Sequence, residues 1–511
     1  MTAAPVRTAE VVAALALASD LSTGQPADHA LRCALLATRL GRLAGADETT
    51  LADSFYVALL HASGCTSDAH ELAAAFGDDI FPRADFARVD VANVREVIAF
   101  LGRHAGAGAP PLRRAAAFGA ALAAGARRTR RGYAMHCEVA QRFAERLQLS
   151  EGTAAALEYV FERWDGKGLP AGARGASLPL PARLLHIARD ACVFGSDAPG
   201  VIADRAARAY DPELAALFVR NAADLIDPLA GAGTWVALLD EEPGLRPTLA
   251  GDSLDQACSA LADFVDLKSP WWRGHSRAVA ELGEAAAWRM GLAADDVALV
   301  RRAALVHDLG RAGISNAVWE KAGTLGLAEW EQVRLHPLYT ERAFASGSLA
   351  PLGELAAMHH ERLDGTGYHR RLPAQLLPRT ARILAAADAY QAMAEPRPYR
   401  DPLGADRAAA ELQAEVRAGR LDPGAVDAVL AAAGHRTATA RRLELPDGLS
   451  ERELEVLRLV TGGHTNKQIG ALLHLSPKTI GHHVQHIYAK IGVSSRAAAT
   501  LYAAERGLLR E

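Results

Sequence analysis

The chain has 511 residues, of which 50% are hydrophobic and 23% are charged, and its formal net charge is −4. This length predicts about three domains, and the composition excludes a broadly disordered chain or one that coats nucleic acid through overall positive charge. No stretch reaches the roughly 18 apolar residues of a membrane span, and the N-terminal segment is a poor secretion signal. The five cysteines are scattered, without a CxxC pair. We therefore expect a reduced, cytoplasmic protein that contacts no membrane and has no cysteine metal site.

Most of the chain is predicted to be helical. Apolar residues recur at three- and four-residue spacing in several segments, including 31–43, 297–306 and 480–491. No long run shows the strict two-residue alternation that would indicate a strand. Gly and Pro cluster between these segments and predict loops. The pattern predicts an all-α protein.

The chain repeats itself internally. The spacing of 32 residues between His29 and His61 recurs between His275 and His307. Further on, ERWDGKGLP matches ERLDGTGYH and LLHIARDA matches RILAAADA, in the same order. We therefore predict two tandem copies of one helical domain. The predicted segments are the first copy (1–225), a connecting segment (226–249), the second copy (250–435), a linker (436–445) and a tail (446–511).

The second copy concentrates residues that can bind metals. Neutral imidazoles and carboxylates without thiolates suit first-row metals such as Fe, Mn or Zn. A carboxylate can bridge two metals, which about 3.5–4 Å apart can clamp a phosphoryl group for in-line attack. A lone His-Asp pair is more often a helix end or a satisfied buried histidine, but seven potential ligands favour a metal centre. These are His275, His307, Asp308, His336, His359, His360 and Asp388.

The motifs around these residues resemble those of the HD-GYP family, a branch of the HD-domain metal-dependent phosphohydrolases. HDLGRAGI stands at the HD signature and HHERLDGTGYH at the HHExxDGxGYP signature, and ADAYQAM and RPYR follow. The resemblance implies a helical bundle with a di- or tri-metal centre that hydrolyses cyclic di-GMP. It implies that all seven residues are metal ligands, that Asp308 bridges the metals, and that Asp308 and Arg311 are catalytic.

Three departures from the family pattern bear on the metals and the substrate. Trp271 stands where some members have a glutamate for a third metal, so we expect two divalent first-row metals, Fe or Mn, with Zn as the alternative. Arg311 replaces a lysine and offers a planar fork to a substrate phosphate. His369 replaces the proline of GYP, which alters the loop because the fixed φ is lost. The expected substrate loop comprises Asp364, Gly365, Gly367 and Tyr368.

The first copy retains only part of this ligand set. It keeps His29, His61, His136 and Asp190, but Ala62 replaces the bridging aspartate, and Val160 and Phe161 replace the histidine pair. A dinuclear site cannot be assembled without these groups. We expect the remaining histidines to be satisfied core residues; a mononuclear metal site or a small-ligand pocket is the alternative.

The tail divides into four short predicted helices. Ser450 and Glu453 have the spacing of a capping box, and Asn466 begins the second helix. Ser476 precedes a proline at the start of the third helix, and the fourth begins at about Ser495. The tail holds eight Lys/Arg and six Asp/Glu, so its charge alone indicates little.

SERELEVL, LSPKTI and YAKIGVSSR make the tail similar to the LuxR-type helix-turn-helix domain. The resemblance implies a recognition helix at 478–491 in the major groove, with Val484, Ile487 and Ile491 on its core side. It also implies that the domain binds double-stranded DNA as a dimer. Arg441 and Arg442 could contact phosphate or form a solvated linker. The residues expected to face DNA are Lys478, Thr479, Gly481, His482 and Gln485.

The sequence thus predicts a cytoplasmic bacterial transcriptional regulator. It joins a metal-dependent HD-GYP-like phosphodiesterase, acting on cyclic di-GMP or a related nucleotide, to a LuxR-type DNA-binding domain. The expected partners are double-stranded DNA, a cyclic dinucleotide or other phosphodiester, and a second copy of the chain in a homodimer. Two alternatives stay open: a non-catalytic regulator that senses a nucleotide or metal, and a phosphohydrolase for another phosphodiester.

Overall fold

The computed structural model describes residues 5–435 except 230 and 232, residues 446–493 except 462, and positions 496, 499, 502, 503 and 508. The chain divides into two compact units, Met1–His435 and Arg436–Glu511. Regular structure in both units is almost entirely helical, which confirms the predicted all-α class. Among the described helices, none has the apolar length that a bilayer crossing requires. The boundary between the two copies within the first unit stays a prediction.

The first copy is built around three helices that pack against one another. The helices up to the end of the connecting segment are α1 (Thr8–Thr23), α2 (His29–Leu43), α3 (Glu48–Leu60), α4 (Ala69–Phe76), α5 (Phe81–Phe86), α6 (Val94–His104), α7 (Pro111–Arg146), α8 (Glu151–Leu157), α9 (Leu180–Phe194), α10 (Ala198–Arg205), α11 (Pro212–Arg220), α12 (Ala222–Ile226) and α13 (Thr234–Glu241). The central three are α2, α3 and α9. They contribute Leu35, Leu59 and Leu185 to a common buried core, and burial of such side chains is a main stabilising contribution to the fold.

The second copy repeats this arrangement. Its helices are α14 (Asp252–Asp266), α15 (His275–Arg289), α16 (Ala294–Val306), α17 (Asn316–Trp319), α18 (Leu327–Val333), α19 (His336–Ala343), α20 (Ala350–Ala356), α21 (Arg379–Ala394), α22 (Ala405–Arg417) and α23 (Pro423–Ala432). Here α15, α16 and α21 pack together as α2, α3 and α9 do in the first copy. His275 begins α15 as His29 begins α2, and Asp388 lies in α21 as Asp190 lies in α9.

The connecting segment returns to the N-terminal end of the described chain. There, β1 (Val6–Arg7) pairs antiparallel with β2 (Thr248–Leu249). The Arg7 guanidinium donates to the Glu242 carboxylate at 3.1 Å from Nε, and the Tyr56 hydroxyl donates to the same carboxylate at 2.6 Å. Because Glu242 is buried, these bonds satisfy a charge that would otherwise be costly.

The tail forms a separate small core. Its described helices are α24 (Glu451–Thr461), α25 (Asn466–Leu473) and α26 (Pro477–Ile491). The predicted capping box is present, because the Ser450 amide donates to Glu453 at 2.7 Å and the Glu453 amide donates to the Ser450 hydroxyl at 3.2 Å. Likewise, the Ser476 hydroxyl accepts a hydrogen bond from the Thr479 amide at 3.0 Å, which caps α26.

The tail core contains the residues expected on the inner side of the recognition helix. Ile487 and Ile491 are buried there, and Val484 is partly buried against the same cluster. The predicted fourth helix, from about Ser495, lies mostly outside the described residues. The linker and the pair Arg441-Arg442 also lie outside them.

Candidate metal centre

The second copy brings its seven predicted ligands together from separate segments. Helices α15 and α19 each begin with a predicted ligand, and the last predicted ligand lies within α21. Helix α16 ends one residue, and α20 three residues, before a predicted ligand pair. Six of the seven are buried, and His360 is partly buried. The seven are His275, His307, Asp308, His336, His359, His360 and Asp388.

Asp308 lies between two groups of imidazoles. Its Oδ2 is 3.5 Å from His275 Nε2 and 3.0 Å from His307 Nε2. Its Oδ1 is 3.5 Å from the Nε2 atoms of both His336 and His359. One carboxylate therefore presents one oxygen to each group, which is the geometry that a bridging ligand needs.

Asp388 closes the site from α21. Its Oδ1 lies 3.4 Å from His275 Nε2 and 3.6 Å from His307 Nε2. Its Oδ2 lies 3.8 Å from Nδ1 of His360. Two candidate ligand groups result, each with donor atoms within 4.8 Å of one another. They are His275, His307 and Asp308 in one group, and His336, His359 and His360 in the other.

The hydrogen bonds around the site turn the Nε2 atoms of three imidazoles toward its interior, where those of His336 and His359 lie 3.0 Å apart. His307, His336 and His359 each place Nδ1 2.6–2.7 Å from the carbonyl oxygen three residues earlier. Because a carbonyl can only accept, Nδ1 of each ring carries a proton, and Nε2 faces the interior of the site. Buried polar atoms that make no hydrogen bond are uncommon, and a cluster of them fits bound cations. Those present here are His275 Nε2, His307 Nε2, both Asp308 oxygens and Asp388 Oδ1.

The charges of the site also favour bound cations. Burial lowers the pKa values of His336 and His360 well below the ordinary histidine value, so both imidazoles are neutral. Although burial opposes ionisation, Arg311 and His307 hold the pKa of Asp308 well below its ordinary value. Burial alone would lower the pKa of His307, but the Asp308 carboxylate raises it to about 9. The carboxylates are therefore ionised and require positive charge beside them.

Arg311 is held by two indoles that the sequence analysis did not identify. Its Nη1 lies 2.8 Å from Asp308 Oδ2. Its guanidinium carbon is 5.1 Å from the ring centroids of both Trp272 and Trp319. The two indoles meet edge to face at 5.3 Å. Cation–π contact with both indoles restricts the guanidinium next to the Asp308 carboxylate.

Glu395 is a second residue that sequence reasoning missed. Its Oε2 lies 2.8 Å from His275 Nδ1. Gln391 and Arg397 donate hydrogen bonds to the same carboxylate at 2.7 and 3.0 Å. A carboxylate behind a ligating imidazole orients the ring and increases its basicity. The sequence feature that could have indicated Glu395 is its position between the ADAYQAM and RPYR motifs.

We expect Glu395→Gln to weaken metal binding about tenfold, because the amide can still accept a hydrogen bond but no longer carries charge. The measurement is a chelator competition that follows metal content at increasing chelator concentration. Glu411→Gln, an exposed change in α22, is the matched control and should leave the competition curve unchanged. An unaltered curve for Glu395→Gln would show that the residue does not support His275.

The predicted substrate loop lies beside the second ligand group. Tyr368 packs on His360 with ring centroids 4.7 Å apart. Asp364 Oδ1 accepts the Thr366 amide at 2.9 Å, as expected for an anchored turn, and Gly365 has a φ of +74°. A Cβ on Gly367 would lie 2.5 Å from the Arg362 amide nitrogen, so only glycine fits there.

The end of this loop is held by a buried carboxylate. Glu361 accepts the amides of Arg370, Arg371 and Leu372 at 2.8–3.1 Å. His369 itself lies 3.1 Å from the Glu341 carboxylate. In the first copy, Glu162 likewise accepts two amides of the corresponding loop at 2.7 and 2.9 Å.

In the first copy, the place that corresponds to the candidate metal centre holds an arginine side chain, that of Arg189. Arg189 Nε is 2.9 Å from Asp190 Oδ1, and its Nη1 donates to the Val160 carbonyl at 3.1 Å. Burial, with smaller contributions from His61 and Arg189, lowers the pKa of His29 to about 3. The Arg189 guanidinium thus supplies positive charge beside the Asp190 carboxylate. This arrangement favours the interpretation of the remaining histidines as core residues over a mononuclear metal site.

His136, the other histidine retained by the first copy, does not face this carboxylate. It lies in α7, and its Nε2 is 3.0 Å from Asp68 Oδ1. Burial alone would lower the pKa of His136, but Cys65 and Asp68 beside it raise this pKa to about 9.

The residues expected to face DNA lie along α26. Lys478, His482 and Gln485 are exposed, whereas Thr479 and Gly481 are partly buried. Ile480 and Ile487 of the same helix are buried in the tail core. The helix is therefore amphipathic, with a polar face available for a partner.

Comparisons with known proteins agree with the two units. The HD domain model matches residues 125–191 and 259–425, and the model of bacterial regulatory proteins of the luxR family matches residues 447–503. The 3′3′-cGAMP-specific phosphodiesterase 3 of Vibrio cholerae is 30% identical over 81% of this chain and 92% of its own length. The cyclic di-GMP phosphodiesterase response regulator RpfG of Xanthomonas campestris is 32% identical over 34% of this chain and 47% of its own length.

A solved structure extends the likeness to the fold. The crystal structure of a cyclic GMP-AMP-specific phosphodiesterase of V. cholerae matches with a TM-score of 0.60 and 27% identity. It covers 85% of this chain and 99% of the solved one. The chain therefore belongs to the HD-GYP family of metal-dependent phosphodiesterases and carries a LuxR-type DNA-binding domain.

Proposed function

We propose that the second copy hydrolyses a phosphodiester bond of a cyclic dinucleotide and that the tail binds double-stranded DNA as a homodimer. The observation that carries the catalytic proposal is the position of Asp308, with one oxygen toward each group of imidazoles. The relatives named above act on 3′3′-cGAMP and cyclic di-GMP, which supports this substrate class.

The ligand set fits two divalent metal ions. His275, His307 and Asp388 would hold one, His336, His359 and His360 the other, and Asp308 would contact both. When bound, such a pair polarises the phosphoryl oxygens and favours deprotonation of an attacking water molecule. Only nitrogen and oxygen donors are present, and we propose Fe or Mn, with Zn as the alternative. Trp271 offers no ligand for a third ion.

The protein's own groups would position the substrate. Arg311 carries a positive charge at the site, and its planar fork can donate hydrogen bonds to two phosphate oxygens. The two indoles beside it restrict its orientation, so little side-chain entropy is lost when it binds. Tyr368 lies beside His360, where the loop can contact the remainder of the nucleotide.

The test is hydrolysis by Mn- and Fe-loaded protein of cyclic di-GMP, 3′3′-cGAMP and bis(p-nitrophenyl) phosphate. We expect cleavage of at least one cyclic dinucleotide to a linear product. Cleavage of only the generic diester would favour a phosphohydrolase for another substrate. Nucleotide binding without cleavage in all metal forms would favour the sensor alternative.

The tail supports the DNA-binding part of the proposal. Helix α26 has the cap, the buried inner face and the exposed outer face that a recognition helix needs. Dimerisation is proposed from the family pattern of pseudo-palindromic sites. Analytical ultracentrifugation with and without a DNA duplex tests it, and a strictly monomeric complex would refute the homodimer.

We expect Lys478→Ala to weaken DNA binding and to reduce the slope of log K against log salt by about 1, because one phosphate contact is lost. The side chain is exposed, so the fold should be retained. The measurement is fluorescence anisotropy with a labelled duplex at several salt concentrations. The control is Arg452→Ala, which removes one positive charge from α24. In the unchanged protein, Arg452 already pairs with Glu455. Identical salt slopes for Lys478→Ala and the unchanged protein would exclude the phosphate contact.

A further inference from the structure

One buried carboxylate of the first copy reaches into the second copy. Asp79 lies between α4 and α5 and is fully buried. Its Oδ2 forms an ion pair with the ammonium of Lys268, which is also fully buried. Lys268 lies between α14 and α15, seven residues before the ligand His275. An ion pair with no exposure is costly to break, because either partner alone would be an uncompensated buried charge.

The other oxygen of Asp79 holds a different segment of the second copy. Oδ1 accepts the backbone amide of Asn316 at 2.7 Å and the hydroxyl of Ser315 at 3.0 Å. The Asn316 side chain donates in turn to the Lys268 carbonyl at 2.7 Å. One carboxylate therefore joins the segment that leads to His275 and the segment that follows the HD motif.

These two segments carry Trp272 and Trp319, the indoles that contact Arg311. Trp272 follows Lys268 by four residues, and Trp319 ends α17, which Asn316 begins. Trp319 also packs edge to face on the ligand His336, at 5.7 Å between ring centroids. The distance between the segments that contain Lys268 and Asn316 therefore sets the distance between the indoles. The indoles in turn set the position of the Arg311 guanidinium.

We infer that Asp79 is a positioning residue for the active site, through which the first copy sets the indole pair around Arg311. This inference rests on the proposed function for its catalytic consequence only. A second set of contacts joins the two copies next to Asp79. Glu320 accepts the Ser269 hydroxyl at 2.7 Å and lies 2.6 Å from His70 of the first copy. A copy without the bridging aspartate thus retains a role in the reaction of its neighbour.

Two double variants separate positioning from simple loss of charge. Asp79→Ala/Lys268→Met and Asp79→Asn/Lys268→Met both remove the buried charge pair. Only asparagine keeps an oxygen that can accept from the Asn316 amide and the Ser315 hydroxyl. We expect the alanine variant to exchange the amide hydrogens of 314–319 about tenfold faster and to raise KM about tenfold, with kcat changed less. The asparagine variant should be close to the unchanged protein in both respects, and both should keep their metal.

Arg146→Ala is the control, because it breaks another ion pair between the copies, with Asp263 at 2.6 Å, away from the indoles. It should change neither exchange at 314–319 nor KM. If the alanine variant does not fold, Ser315→Ala removes one of the same bonds and should shift both readouts in the same direction by a smaller factor. Equal exchange in the two double variants would overturn the inference. Hydrogen exchange needs no turnover, so it tests Asp79 even if no substrate is cleaved.

Discussion

Asp308→Ala is expected to remove both metal ions from the second copy and to reduce phosphodiester hydrolysis by at least about a thousandfold. Asp308 faces both imidazole groups at short range, with its two oxygens 3.0 to 3.5 Å from four Nε2 atoms. Its loss also leaves Arg311 without its carboxylate partner beside the buried imidazoles. The measurements are metal content by elemental analysis and product formation by chromatography.

His29→Ala is the control for this experiment. His29 begins α2 as His275 begins α15, but the carboxylate at its site already pairs with Arg189. Metal content should therefore stay as in the unchanged protein. Two metals per chain in Asp308→Ala would refute the bridging role, and loss of metal in His29→Ala would indicate that the first copy also binds an ion.

Five of the seven candidate ligands lie within the motifs HDLGRAGI, HHERLDGTGYH and ADAYQAM, and the local structure around the ligands is simple. His275 and His336 begin helices, and Asp308 follows the end of one. The helix starts in the tail were predictable for a similar reason. Ser450 and Ser476 cap helices through bonds to residues three positions later, so the signal is local.

The supporting residues could not be predicted in this way, since their partners are distant in sequence. Glu395 lies 120 residues after His275, and Asp79 lies 237 residues before Asn316. Charge and residue type alone do not indicate which buried carboxylate meets which amide. Trp272 and Trp319 are two of seven tryptophans, and only the fold places them around one guanidinium.

Arg189 shows how the first copy can retain the fold without the metals. In the aligned motifs LLHIARDA and RILAAADA, Arg189 corresponds to Ala387. The small alanine leaves room beside Asp388, whereas the arginine side chain brings its own positive charge to Asp190. The motif shows the substitution, but only the contact with the Val160 carbonyl shows that the guanidinium turns inward.

Gly310→Ala is expected to destabilise the first unit by about 3 kcal/mol and to lower metal content. A Cβ at this position would lie 2.0 Å from the His336 carbonyl oxygen and 2.6 Å from the Thr340 amide nitrogen. Both obstacles are backbone atoms of α19, so the helix itself would have to move. Because His336 is the first residue of α19, that movement displaces a ligand. Thermal unfolding, with an expected decrease in the unfolding temperature of roughly 3 °C, and metal analysis measure the two effects.

Gly64→Ala is the matched variant in the first copy. Its Cβ would lie 2.2 Å from the His136 carbonyl oxygen and 2.7 Å from the His136 Cα, so the same close crossing is present in both copies. We expect a similar decrease in the unfolding temperature, because the steric conflict is equally severe. Metal content should be retained, because His136 pairs with Asp68 and faces no imidazole pair. Metal loss in Gly64→Ala, or full metal content in a destabilised Gly310→Ala, would contradict the assignment of His336 as a ligand positioned by this crossing.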